Sequence, residues 1–356
     1  MKLHTVLLAA AVLLASSCFE EHHEGQTLVQ CRFTGDVPDS VRFTIGDQWD
    51  TTVAVGKSMV KVLLPVDTST VAFMVAGDGH VGFVSDGSSI RINPAEGSAV
   101  SDNPAGVNAR MQELSRWEEE YMAGFNARLD ALPEAEQDAY IDASLAEYND
   151  YHFSVLEDNR ENVVGLLALS SIQRADEEKM LSALRSLGGA VALDPFVDKM
   201  TKLYEAKVRT APGSRFVDFT IVQDLEKPRK STVSLSDYVG KGKYVLVDFW
   251  ASWCGPCKAE IPYIKEVYKK HKGRHFNVLS VAVWDKPDAT RQAARELGIN
   301  WDQIVNAQDI PTDLYGIEGI PHLILFGPDG TIVARDIRGE GIEEAVSAAL
   351  ESAGKK

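Results

Sequence analysis

The chain has 356 residues, enough for two or three domains that each bury a core. With 45% hydrophobic and 25% charged residues, its composition is that of ordinary globular protein, which excludes a disordered or fibrous chain. A formal charge of −16 argues against nucleic acid as a partner, because phosphates are held by clustered Lys and Arg. The acid is unevenly placed: residues 1–211 carry 17 Lys and Arg against 32 Asp and Glu, and residues 212–356 carry 19 against 20. The negative surface therefore belongs to the first part of the chain, where it serves as a solubilising surface.

The first 18 residues read as a processing signal. Lys2 gives the positive start, Leu7 to Leu14 are unbroken apolar residues, and Ala15, Ser16 and Ser17 are small. The stretch is too short to span a bilayer as a mature helix. Its end on Cys18 resembles a bacterial lipoprotein cleavage site, although Ala15 stands where Leu is usual. Residues 1–18 are thus expected to be a lipoprotein signal peptide, with Cys18 lipidated and 19–25 a tether. The expected location is a bacterial cell envelope, anchored by lipid and facing the periplasm, with surface exposure as a second option. The acidic run Glu20, Glu21 and Glu24 suits a tether or a surface-export signal. Outside the cytoplasm thiols oxidise, so a working dithiol there is either kept reduced or used as an oxidant. Besides Cys18 only Cys31, Cys254 and Cys257 remain, too few for a disulfide framework.

Residues 26–104 alternate in short runs. Leu28–Phe33, Val41–Ile45 and Met59–Leu64 read as strands, and Gly35-Asp36, Gly46-Asp47 and Gly77-Asp78-Gly79 as turns. A small antiparallel β domain is expected, closed by a Pro/Gly/Ser/Asp-rich stretch from Asn93 to Gly106. Cys31, in its first strand, is expected to be buried and inert. Over residues 105–210 the period lengthens. Leu114, Trp117, Tyr121 and Phe125 mark one helical face and Tyr140, Leu145, Tyr148 and Tyr151 another, separated by Pro133. These aromatics are expected as a core stripe, with a ligand groove as the alternative. Asp176 and Asp194 read as N-caps, the second followed by Pro195. Ala211 to Ser214 reads as a linker. Residues 211–356 then alternate strands and helices in the order of an α/β domain.

Trp253-Cys254-Gly255-Pro256-Cys257 follows the apolar run Tyr244–Trp250 and opens a helix over Cys254–His271. A helix N-terminus stabilises a thiolate at Cys254, the species that attacks a disulfide. Cys257, one turn on, is placed to attack the resulting mixed disulfide. Pro256 suits the first turn, where its missing N–H is not needed. A zinc site would need two further ligands, and no second CxxC or His pair at metal spacing lies nearby, so no metal and no cofactor is expected.

Residues Val245 to Lys258 resemble a thioredoxin active site. Phe216–Thr220 and Val233–Asp237 resemble the exported, TlpA- and ResA-like branch of the thioredoxin superfamily. The resemblance covers residues 212–356 and implies a multidomain chain: a C-terminal α/β thioredoxin-like fold preceded by a small antiparallel β domain and a helical segment. It implies a cis peptide before Pro321, with Ile320 and Pro321 binding substrate beside Trp253, Gly255 and Pro256. It also implies that Asp248 is a buried acid assisting Cys257, and that Glu260 is an acid near the dithiol. Glu260 equally suits a first-turn position favoured by the helix dipole. Two departures stand out: His322 follows the proline where Thr is usual, and Leu279–Trp284 lacks the lysine that partners the buried acid in cytosolic thioredoxins.

The function implied is reduction of disulfides in exported proteins, with electrons from a membrane or periplasmic donor. A peroxidase of the peroxiredoxin type would carry Pro and Thr where Val247 and Ala251 stand. The competing class is a partner-binding or assembly lipoprotein, in which residues 26–210 recruit clients and the redox domain is secondary.

Overall fold

A computed structural model describes residues 25–224, 226, 228, 231–273 and 275–354. The expected signal peptide, Cys18 and the tether up to residue 24 lie outside the described residues. The chain forms two compact units that divide between Asp198 and Lys199.

The first unit opens with a sandwich of two four-stranded sheets. One has the order β4-β1-β7-β8, built from β1 (Gln26–Arg32), β4 (Met59–Pro65), β7 (Ser89–Asn93) and β8 (Ser98–Ser101). The other has the order β3-β2-β5-β6, from β2 (Ser40–Ile45), β3 (Trp49–Ala54), β5 (Asp67–Ala76) and β6 (Gly79–Ser85). Alternate residues of each strand point inward, so Val29, Phe43, Leu64, Met74, Phe83 and Ile90 form one core between the sheets. Cys31 shares that core, and burial pushes its thiol up to about 12. One expectation needs correction. The β1–β7 pair is parallel, so the domain is not wholly antiparallel. The stretch from Asn93 to Gly106 contains β8, a four-residue edge strand antiparallel to β7.

Four helices complete the unit: α1 (Val107–Ala131), α2 (Glu134–Asp158), α3 (Val163–Ser171) and α4 (Glu177–Ser186). Pro133 stands at the N-cap of α2, and Asp176 caps α4 by accepting the Lys179 N–H. The aromatic stripe is half-buried rather than core. Trp117 stacks on Tyr121 and Tyr151, with ring centroids 4.7 and 3.6 Å apart, and Phe125 stacks on Tyr140 at 5.5 Å. A hairpin of two helices covers one side of such rings and leaves the other to water. The buried member of the group is His152, whose Nε2 faces Glu118 Oε1 at 2.9 Å and whose Nδ1 faces the Tyr148 carbonyl at 2.7 Å.

Helix α5 (Pro195–Arg209) crosses the division. Asp194 accepts the Phe196 N–H at its start, while residues 199–209 belong with the second unit. That unit has a five-stranded sheet, ordered β13-β12-β11-β14-β15, and a hairpin of β9 (Thr220–Val222) and β10 (Thr232–Ser234). The sheet strands are β11 (Tyr244–Trp250), β12 (Phe276–Ala282), β13 (Asp302–Ile304), β14 (His322–Phe326) and β15 (Ile332–Arg335). Its helices are α6 (Gly255–His271), α7 (Pro287–Glu296), α8 (Ile310–Tyr315) and α9 (Glu340–Gly354). In α6, Cys257, Ile261, Ile264 and Val267 recur at three and four residues and face inward. Ile261, Ile264 and Val267 join Leu246, Leu323, Ile342 and Val346 in the core under α6 and α9. Val247, Phe249, Ile324 and Phe326 point to the other face and pack with Phe219, Leu235 and Tyr315. Being covered on both faces, β11 has the unbroken apolar run of a central strand, except at Asp248.

The segment 211–214 is held rather than loose. Gly213 N–H donates to the Ile332 carbonyl at 2.8 Å, and Ile332 N–H to the Ser214 carbonyl at 2.7 Å. Just beyond α8, Gly316 has φ +62°, and a Cβ there would lie 2.8 Å from the Leu203 carbonyl and 2.6 Å from Lys207 Cγ. Gly316→Ala is therefore expected to cost about 2 kcal/mol, read as a lower urea midpoint with an unchanged slope.

Candidate active site

Strand β11 delivers the site. It ends at Trp250, and after Ala251–Trp253 the chain turns into α6 with Cys254 as the N-cap. Cys254 and Cys257 form a disulfide, with Cα atoms 5.3 Å apart. The Cys257 N–H points at Cys254 Sγ from 3.1 Å, so a helix N-terminal donor already faces the sulfur that would carry charge on reduction. Both cysteines are buried, at 3% and 1% exposure, and pack with Trp250, Ala293 and Ala294. Around them Trp253 is exposed at 61%, and Gly255 and Pro256 are exposed too.

The Ile320–Pro321 peptide is cis. The Ile320 carbonyl lies 3.7 Å from Cys254 Sγ, which brings this loop against the dithiol. Asp248 lies on the face of β11 shared by Leu246 and Trp250, the face that α6 covers. It is 1% exposed. Burial pushes its carboxyl up to about 7, with the Glu260 charge adding to the rise and the Ser280 hydrogen bond opposing it. Ser280 Oγ–H donates to Asp248 Oδ2 at 3.0 Å, and Trp301 Nε1–H donates to Ser280 Oγ at 2.9 Å. Two neutral donors in line thus lead to the Asp248 carboxyl.

Glu260 needs a correction. It is the sixth residue of α6, beyond the first turn, and its Oε2 accepts the Gly339 N–H at 2.8 Å. His322 pairs with Phe249 across the sheet and so lies on the face opposite Asp248. Its Nδ1 is 3.5 Å from Asp336 Oδ1. Burial, reinforced by Arg335, pushes its imidazole down to about 4, which leaves it neutral at physiological pH.

Ser280, Trp301, Trp284 and Asp285 carry the site without having been singled out in the sequence. Asp285 is buried and accepts from Ser252 N–H at 2.7 Å, Ser252 Oγ at 3.0 Å and Thr290 Oγ1 at 2.8 Å, tying down the turn before Cys254. Trp284 has φ +52°, an uncommon conformation for a bulky residue. Its carbonyl accepts the Trp253 indole N–H at 3.0 Å, and its own indole N–H donates to Asp309 Oδ1 at 2.7 Å. Acidic and aromatic residues directly after the strand following the dithiol are the one signal that could have marked Trp284 and Asp285.

A dithiol capping a helix, beside a cis-proline in an α/β sheet, defines a thioredoxin-like redox site. Known sequences agree. A model described as the AhpC/TSA family matches residues 212–335. The thiol-disulfide oxidoreductase ResA of Geobacillus kaustophilus (strain HTA426) is 31% identical over 152 residues, 43% of this chain and 83% of that protein. ResA of Bacillus subtilis (strain 168) is 31% identical over 131 residues, 37% of this chain and 70% of that protein. Among solved structures, the thioredoxin domain of a thiol-disulfide oxidoreductase from Bacteroides vulgatus is 35% identical, with 39% of this chain and 96% of that one covered and a TM-score of 0.34. The chain belongs to the ResA family of thiol–disulfide oxidoreductases, on a multidomain chain whose C-terminal part has the thioredoxin-like fold.

Proposed function

We propose that this enzyme reduces disulfides in exported proteins and is itself recharged by a membrane or periplasmic electron donor. The observation that carries the reading is the Cys254–Cys257 pair at the start of α6, with the Cys257 N–H aimed at Cys254 Sγ. In the reduced enzyme, the Cys254 thiolate attacks one sulfur of a client disulfide. A Cys254–client bond forms and the client's other sulfur leaves as a thiolate. Asp248 takes the Cys257 proton, and the Cys257 thiolate attacks Cys254 Sγ. The Cys254–Cys257 bond closes, the second client sulfur leaves, and two electrons have passed to the client. Trp253, Gly255, Pro256, Ile320 and Pro321 form the surface on which the client docks, and Glu260 tunes Asp248 by its charge. Residues 1–18 act as the signal, Cys18 carries the lipid, and 19–25 tether the enzyme to the cell envelope.

The second reading makes the chain a partner-binding or assembly lipoprotein, in which residues 26–210 recruit clients and the redox domain is secondary. Its support is a cavity of about 220 Å³ lined by Tyr121, Met122, Phe125, Leu145 and Tyr148 on the half-buried stripe.

The reduction potential of the Cys254–Cys257 couple tests the direction of electron flow. A value near or below about −230 mV is expected for a reductase; one near roughly −120 mV would make the enzyme an oxidant that installs disulfides.

A further inference from the structure

Helix α5 ends against the loop that carries the cis-proline, through contacts made wholly within the second unit. Lys207 Nζ donates to Glu318 Oε2 at 2.5 Å and lies over the Tyr204 ring at 4.7 Å. Arg209 Nη2 donates to the Leu314 carbonyl at 3.1 Å. Arg335, at the end of β15, joins the two: it donates to Thr210 Oγ1 at 2.8 Å and to the Tyr315 carbonyl at 2.8 Å. The bare Cα of Gly316 lets the α5 backbone come this close. These contacts fix the C-terminal end of α8 and the turn after it, but beyond Ile317 the chain emerges. Glu318 and Gly319 are exposed, and Ile320, whose carbonyl faces Cys254 Sγ, is only half-buried. In this exposed stretch the Lys207–Glu318 pair is the described side-chain tether. The lysine side chain is 18% exposed and the glutamate 56%, so one partner is substantially withdrawn from solvent.

We propose that Lys207 is a positioning residue for client docking: by holding Glu318 it sets the Glu318–Pro321 backbone against the dithiol. The proposal rests on the reading that the client docks on Ile320 and Pro321, taken here as pairing of a client strand with the Ile320 backbone. It makes the last turn of α5, which precedes the matched residues 212–335, part of the client-binding apparatus. Lys207 touches neither sulfur, so its effect falls on docking and not on the attack.

The test uses the full chain with Lys207→Met, which keeps the stem against Gly316 and Tyr204, and Glu318→Gln, an exposed change that the fold tolerates. Three readouts are compared. The KM for a disulfide-bonded protein such as insulin is expected to rise about three- to fivefold, the size of a half-buried ion pair. The rate with bis(2-hydroxyethyl) disulfide, which has no peptide backbone to pair, stays within twofold of wild type. Amide exchange at Gly319 and Ile320 quickens. The reversed pair, Lys207→Glu with Glu318→Lys, restores both KM and exchange. Unchanged KM and unchanged amide exchange in both single variants would overturn the assignment. So would an equal loss on insulin and bis(2-hydroxyethyl) disulfide, because the lysine would then act on the dithiol. Should the wild-type enzyme turn over no protein disulfide at all, the client reading fails, and amide exchange alone decides whether Lys207 holds the loop.

Discussion

Cys254→Ser is expected to lower thiol–disulfide exchange with a protein disulfide by about 10³-fold or more, because a serine hydroxyl supplies almost no anion at neutral pH. Cys257→Ser should behave differently. Its Cys254 still attacks and is still faced by the residue 257 N–H, yet nothing displaces the client, so a covalent enzyme–client adduct accumulates. The pair is read by insulin reduction together with a non-reducing gel, on which the adduct of the Cys257 variant vanishes with dithiothreitol. If the Cys254 variant kept its activity, or the adduct formed through Cys257 instead, the assignment of attacking and resolving sulfurs would be wrong.

Asp248→Asn should show itself in both rate and stability. The amide cannot take the Cys257 proton, so release of the mixed disulfide slows by about 10²-fold. The stability effect has a definite sign. The Asp248 carboxyl sits at about 7 in the folded enzyme, against about 3.9 in an unfolded chain. Between those values the folded state keeps a proton that the unfolded state has lost, so stability falls as pH rises, by about 1.4 kcal/mol per unit. Near pH 4 the wild-type enzyme carries no such penalty. Above about pH 7 the full loss, on the order of 4 kcal/mol, is present and stays constant. The substitution removes the slope, so denaturant titrations should find the variant close to wild type at pH 4 and more stable by a few kcal/mol at pH 8. A wild-type curve already flat from pH 4 to 8 would mean that Asp248 is ionised throughout and cannot serve as the base.

The dithiol was legible because its parts are neighbours in sequence: a buried run, Trp253, the two cysteines and a helical face recur within some twenty residues. β11 could be read for a related reason, since a central strand must be apolar on both sides. The partners of Asp248 could not. Ser280 reaches it through the pairing register of β11 with β12, and Trp301 arrives from before β13; neither alignment is written locally. Short elements were lost as well, among them β8, β13 and α8, whose three to six residues carry too little periodicity to register. The aromatic stripe shows a different limit. Spacing assigned Trp117, Tyr121 and Phe125 to one face correctly, but spacing cannot say how deeply a face is covered. Glu260 was misplaced by counting: it is the sixth residue from Gly255, already past the first turn.

The place of β1 has a consequence for how the chain acquires its structure. The first strand of the sandwich is an interior one, flanked by β4 and β7, and its parallel neighbour arrives only with Ser89–Asn93. A chain emerging N-terminus first therefore cannot finish this sheet until more than ninety residues are out. Until then β1 offers one unpaired edge, a long-range closure of the kind that slows folding and invites wrong pairings. The unit most distant in sequence from the redox chemistry is in this respect the one most in need of undisturbed time, or of a helper, while it assembles.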